Sequence, residues 1–184
     1  MIKVKKKEEY SIKGYTILEM LGQGGMGVVF KATKNDRIVA LKVMSSALLK
    51  DAMCVERFVR EAEISIMLDH PNIVKGLDYQ ASDVVYFAME FVEGISLDKI
   101  LEKEGKLPEK QACQIVLQMA KALEYADQFK IVHRDIKPGN IMMTRDGIPK
   151  LCDLGLAKRE SAGEHQLTQP GSILGTPFYM SPEQ

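Results

Sequence analysis

Hydrophobic and polar positions change their period twice along the chain. From Tyr15 to Val43 the apolar residues come in short runs: Tyr15, Ile17 and Leu21 lead into a glycine cluster, then "VVFKAT" and "RIVALKV" follow, parted by "KND". β-Branched runs bounded by turn residues predict three antiparallel strands. Val55, Phe58, Val59, Ala62 and Ile66 then recur at helical spacing, and "HPN" at His70 to Asn72 closes that helix. "VVYFAMEFV" predicts a further buried strand, and Gly94 breaks the pattern where a hinge between two lobes is expected. Pro108 and Glu109 open a long helix with Ala112, Val116, Met119, Leu123 and Ala126 as its expected inward face. "IVHRD", "NIMMT" and "PKLCD" read as short β segments, and Leu154 to Gln184 is rich in Gly, Ser, Thr and Pro without periodicity. A loop of that length in a packed domain is usually functional.

Composition narrows the picture. The 184 residues are 46% hydrophobic and 27% charged, enough for a buried core. Lys plus Arg and Asp plus Glu are 25 each, so no net field draws the chain to nucleic acid or to a membrane surface. Lys3, Lys5, Lys6 and Lys7, followed by Glu8 and Glu9, read as a solvated end. Cys54, Cys113 and Cys152 have no CxxC spacing, which argues against a metal or disulfide framework and fits a reducing compartment. The N-terminus is charged and no apolar run reaches spanning length. A cytoplasmic location is expected, with any membrane tether on sequence outside this chain.

"GQGGMG" spells G-x-G-x-x-G at Gly22, Gly24 and Gly27. It could be a dinucleotide fingerprint, a flap over phosphates or a plain tight turn. The dinucleotide motif needs a following helix and an acid about 20 residues on; here a strand follows, and a base, Lys42, stands at that distance. A glycine-rich hairpin between strands instead lays backbone N–H groups over phosphates. Lys42 sits in the otherwise apolar "VALKV" and needs a partner if it points inward. Glu61 shares a helix face with Phe58 and Leu68 and is the best candidate. A surface lysine and a solvated glutamate are the alternative.

"GQGGMGVV", "VALK", "HRDIKPGN", "DLG" at Asp153 to Gly155 and "SPE" at Ser181 to Glu183 stand in the order of the protein-kinase signature, and from about Tyr15 onward the chain resembles that superfamily. "GGMG", the leucine in "DLG" and "GTPFYMSPEQ" are most similar to bacterial Ser/Thr kinases. The resemblance implies an α+β, two-lobed protein-kinase-like fold. A tail over 1–14 would precede an antiparallel β lobe with one helix over 15–93, hinged at about 90–94, and a mainly helical lobe over 95–184.

It also implies roles. Asp135 would orient the acceptor hydroxyl and accept its proton, Lys137 would neutralise the transferring phosphate, and Asn140 and Asp153 would hold Mg²⁺. Lys42 would grip the α- and β-phosphates of ATP, steadied by Glu61. Val29 and Ala40 would roof the adenine, Met142 floor it and Met89 gate it, with Glu90 and Val92 offering hinge backbone groups. His133 would be structural, and His70 and His165 turn or solvent residues. Arg134 implies dependence on a phosphate in the activation loop, for which Ser161, Thr168 and Ser172 are available and autophosphorylation at Thr168 or Ser172 is expected. Thr176 would bond Asp135 and Lys137, and self-association for autophosphorylation is conceivable on the same grounds. Partners would be protein substrates bearing Ser or Thr, with no nucleic acid.

Several positions depart from the family pattern. The chain ends just past "SPE", where members continue through further helices, so a marginal second lobe and weak or absent activity of this chain alone are expected. Ser65 and Gly76 are small where bulky residues are usual, so the helix carrying Glu61 is expected to sit loosely. Gly139 replaces a common acid, and no preference for basic substrates is implied. Cys152 reads either as a small buried hydrophobe or as a thiol that electrophiles in the ATP site could trap. Two other functions compete: a pseudokinase or nucleotide-binding regulatory module, and a small-molecule phosphotransferase. The intact Lys42, Asp135, Asn140 and Asp153 argue against the first, and "GTPFYMSPE" argues against the second.

Overall fold

A computed structural model describes residues 12, 14–154, 158–159 and 177–180. Five strands make one antiparallel sheet in the order β1-β2-β3-β5-β4. They are β1 (Thr16–Gly24), β2 (Gly27–Lys34), β3 (Arg37–Met44), β4 (Gly76–Ala81) and β5 (Val85–Glu90). The β2–β3 link is a two-residue turn with Asn35 and Asp36 at positive φ (50° and 60°). Those two residue types tolerate that conformation, and it matches the strand twist. Helix α1 (Ala52–Met67) begins where Asp51 Oδ1 accepts the N–H groups of Met53 and Cys54 at 3.0 and 3.2 Å.

Strand alternation puts two cores on the sheet's two faces. Phe30, Ala32, Val39, Leu41, Val43, Tyr86 and Ala88 pack with Ile12 and Tyr15 on one face. Met44, Val85 and Phe87 pack with Phe58 and Ala62 of α1 on the other. Edge strand β4 was not expected, because "GLDYQA" is largely exposed and has too few apolar positions to mark a strand.

Beyond β5 come β6 (Gly94–Ser96), α2 (Leu97–Glu104), α3 (Glu109–Asp127), β7 (Ile131–Val132), β8 (Ile141–Thr144), β9 (Pro149–Leu151) and β10 (Lys158–Arg159). β6, β8 and β9 form a small sheet. Gly94 lies in β6, where a Cβ would collide with the Met143 carbonyl, so the glycine permits close strand pairing.

Helix α3 buries Ile115, Met119, Ala122 and Ala126; Met119 and Ala126 belong to the expected face and Leu123 packs at its edge, but Ile115 takes the place expected of Val116, which is 66% exposed. Apolar residues fill two adjacent stripes, so periodicity could not choose between them. Packing chooses: Ile115 and Met119 meet Ile141, Met143 and Leu151, while Ala122 and Ala126 meet Ile64, Leu68 and Leu154. That second cluster joins α1 to α3, and His70 belongs to the same junction. Its ring lies 5.3 Å from that of Tyr125, and its Nδ1 accepts the Asn72 N–H at 3.1 Å, so it is a packing residue rather than a solvent one.

The α+β class of the sequence reading is the class found. The expected looseness of α1 is not. Ser65 is buried and donates to the Val74 carbonyl at 2.9 Å. At Gly76 a Cβ would stand 2.6 Å from the Ile66 amide nitrogen. The small residues bring helix and strand backbones together instead of leaving a gap.

Candidate active site

The sheet's parity gathers the first group of candidates. Val29, Ala40, Lys42 and Met89 alternate with the Phe30, Val39, Leu41 and Ala88 core, so they share the face that carries α1. Register sets them side by side, Lys42 opposite Val29 and Ala40 opposite Met89. Met142 alternates with buried Ile141 and Met143 on β8 and so points away from that core. Val92 is half-buried in the connection that follows β5. Glu90 gives its N–H to the Lys75 carbonyl at 2.9 Å, so its carbonyl is the backbone group it could offer a ligand.

The three flap glycines differ. A Cβ at Gly22 or Gly24 would meet nothing within 4 Å, which leaves their backbone approachable. At Gly27 a Cβ would collide with the Val43 carbonyl, so this glycine is required by β2–β3 packing.

Lys42 Nζ reaches both carboxylate oxygens of Glu61, at 2.7 and 2.8 Å, and lies 3.8 Å from Asp153 Oδ1. Burial alone would lower the lysine's pKa, but Glu61 and Asp153 outweigh it and the net shift is upward. Burial pushes the Glu61 carboxyl up against the pull of Lys42. The two-oxygen contact favours the ionised form of the pair against the cost of its burial.

The second group is built by the loop after β7. Asp135 Oδ2 accepts from Lys137 Nζ at 2.8 Å and from Asn140 Nδ2 at 2.9 Å, and Asn140 Nδ2 also donates to the Asp135 carbonyl. A single 3₁₀ turn over Pro138–Asn140, with Asn140 N–H on the Lys137 carbonyl at 3.0 Å, folds the segment back to make this possible. The Cys152 N–H donates to the Asn140 carbonyl at 2.9 Å, which carries Asp153 alongside Asn140. Arg134 and Asp153 both hold positive φ, 67° and 61°; aspartate tolerates that state, whereas for arginine it is an uncommon one.

His133 is buried, with Nδ1 accepting the Asp135 N–H and Nε2 facing the Cys152 carbonyl, each at 3.3 Å. Burial lowers its pKa, so it is the neutral Nε2–H form that bridges these two loop segments of the site. Cys152 donates its thiol to the Asn140 carbonyl, and burial pushes its pKa up to about 12. A thiol held neutral is a poor nucleophile, which favours the hydrophobe reading over the trapping one.

Asn140 and Asp153 offer hard oxygen donors, and Asp153 is 53% exposed. Among the described residues no three His, Cys, Asp or Glu side chains converge as an all-protein metal cage. This donor set suits Mg²⁺, which binds through one or two side chains plus phosphate oxygens. Gly155, Ser161, His165, Thr168, Ser172, Thr176, Ser181 and Glu183 lie outside the described residues. The sequence reading missed the Glu90 side chain and Lys150, which meet at 2.8 Å. The available signal was Lys150 alternating with buried Pro149 and Leu151 on β9.

The model of the protein kinase domain family matches residues 15–184. The chain is 39% identical over 173 residues to a probable serine/threonine-protein kinase of Clostridium perfringens, CPE1738, covering 92% of this chain and 25% of that protein. It is 38% identical over 178 residues to the serine/threonine-protein kinase PknA of Mycobacterium tuberculosis, covering 92% and 41%. With PrkC of Bacillus subtilis, also a serine/threonine-protein kinase, it shares 40% over 173 residues, covering 92% and 26%. The chain thus spans between a quarter and two fifths of the length of these relatives.

Proposed function

The chain belongs to the protein kinase domain family, and from that premise we propose that it transfers the γ-phosphate of ATP to Ser or Thr hydroxyls of proteins. The observation that carries this reading is the double hold on Asp135 Oδ2 by Lys137 and Asn140, with Asp153 drawn alongside through the Cys152–Asn140 bond. Transfer to a hydroxyl needs alignment and neutralised charge more than covalent help. Asp135 orients the acceptor oxygen and takes its proton, and Lys137 offsets charge on the group in flight. Lys42, fixed by Glu61, draws the other phosphates, while the open backbone at Gly22 and Gly24 lets the flap approach them. Val29, Ala40, Met89 and Met142 form the apolar slot for the base, with Glu90 and Val92 at its edge. Mg²⁺, held by Asn140 and Asp153, supplies further neutralisation of the phosphates when bound.

Regulation by autophosphorylation at Thr168 or Ser172 is part of the same reading, supported by the family alone. Phosphopeptide mapping of active enzyme with neither residue modified would remove it. Among the described residues no helix is long and apolar enough to cross a membrane.

The direct test is Mg²⁺-dependent transfer of labelled γ-phosphate by this chain to itself and to a generic protein substrate, beside Asp135→Asn. The expected loss in the variant is on the order of 100-fold or more. Nucleotide binding without any transfer in either would turn the reading toward a regulatory binding module.

A further inference from the structure

Two elements carry the proposed phosphate- and metal-handling groups. Helix α1 carries Glu61, which holds Lys42, and β9 runs directly into Asp153. Both are linked to the carboxylate of Glu90, α1 through Lys75 and β9 through the Lys150 side chain. Glu90 Oε1 accepts the backbone N–H of Lys75 at 2.9 Å and Lys150 Nζ at 2.8 Å. The Lys75 segment is gripped a second time, because the Glu90 N–H donates to the Lys75 carbonyl at 2.9 Å. The Lys75 side chain then turns back to α1. Its Nζ donates to the carbonyls of Ile66 and Leu68 at 3.0 and 3.1 Å, capping the last turn of the helix, and stands 3.9 Å from Asp69. Helix C-termini present such unpaired carbonyls, and a lysine is a favourable cap for them. From Lys150 the chain reaches Asp153 in three residues, with the Leu151 N–H on the Asn72 carbonyl and the Val74 N–H on the Leu151 carbonyl, at 2.8 and 2.9 Å.

We propose that Glu90 is a positioning residue: its carboxylate ties the C-terminal end of α1 and the strand leading to Asp153 to the end of β5, and so sets the spacing between Lys42–Glu61 and Asp153. The inference rests on the reading of those three residues given above. Glu90 stands next to Met89 in the strand, so its backbone borders the slot for the base while its side chain acts behind it. The side chains of Lys150 and Glu90 are 19% and 31% exposed, a setting in which a charge-assisted contact outlasts solvent screening better than a surface pair does. Losing it removes one tie from each element at once, while the backbone bonds around Lys75 and Leu151 remain. The expected signature is therefore weaker binding of Mg²⁺ and nucleotide, together with local loosening at 66–76 and 149–152, and not a uniform loss of stability.

The test compares Glu90→Ala, Lys150→Met, Lys150→Arg and the Glu90→Ala/Lys150→Met double variant with the unmodified chain. Lys34→Met is the control, since it removes an ion pair to Asp78 in which neither Glu90, Lys75 nor Lys150 takes part. Two quantities are read: affinity for a fluorescent ATP analogue with Mg²⁺, and amide hydrogen exchange by peptide. Each single variant should bind about fivefold more weakly and exchange faster in the two segments. The double variant should be no worse than Glu90→Ala, and Lys150→Arg should stay near the unmodified chain. Lys34→Met should change neither readout. Affinity within twofold and unchanged exchange in Lys150→Met would overturn the proposal, as would Lys150→Arg behaving like Lys150→Met. An unmodified chain that binds no nucleotide would overturn the functional reading instead, and the exchange comparison, which needs no nucleotide, would then decide the positioning role alone.

Discussion

Ile66 on α1 and Gly76 on β4 meet backbone to backbone: a Cβ at Gly76 would lie 2.6 Å from the Ile66 amide nitrogen and 2.8 Å from its Cγ1. Contact that close has no slack for a side chain. Gly76→Ala should cost about 1–3 kcal/mol in urea unfolding, and Gly76→Leu more, because the helix must be pushed off the sheet. Ser65→Ala, which leaves the Val74 carbonyl without its hydroxyl partner, should cost about 1 kcal/mol. A Gly76→Leu variant of unchanged midpoint would show that α1 sits as loosely as the small residues first suggested.

The Lys42–Glu61 pair predicts a non-additive cycle. Lys42→Met strands a carboxylate that is almost wholly buried, a situation that typically costs about 3–5 kcal/mol. Adding Glu61→Gln removes the stranded charge and should recover part of that loss. Denaturant midpoints of the two single variants and the double variant decide it, and simple additivity would refute the buried pairing.

His133 predicts an acid-sensitive step. Burial holds its pKa below the ordinary 6.5. The unfolded chain therefore takes up a proton there that the folded chain refuses. This contribution to stability is complete above about pH 6.5 and declines as pH falls below it. His133→Gln should lose less stability than the unmodified chain between about pH 7 and 5, as read from thermal melts across that range. Parallel pH profiles would mean that His133 is not held neutral.

Cys152 and Cys113 predict opposite alkylation behaviour. Cys113 is exposed on α3, whereas Cys152 is half-buried, its thiol bonded to the Asn140 carbonyl and raised to about 12. Iodoacetamide at neutral pH should modify Cys113 and spare Cys152 in the folded chain, with or without nucleotide. Peptide mapping that found Cys152 modified first would contradict the neutral thiol.

The sequence by itself determined the features that depend on local spacing. The "KND" hairpin follows from residues that accept positive φ at both turn positions. The Lys42–Glu61 contact was legible because Lys42 interrupts an apolar strand and Glu61 falls on the apolar side of its helix. The clustering of Asp135, Lys137 and Asn140 was legible because they lie within six residues of one another. Tertiary structure decided what depends on which neighbour arrives. It selected Ile115 over Val116 as the buried stripe of α3, because β8 and β9 pack on that side. It turned Ser65 and Gly76 from gaps into a close approach. It also made the Glu90 carboxylate a junction of three segments separated by up to 75 positions in the chain, from Lys75 to Lys150. Periodicity reports which side of one element is apolar. It carries no information about which element covers that side, and only packing in three dimensions supplies it.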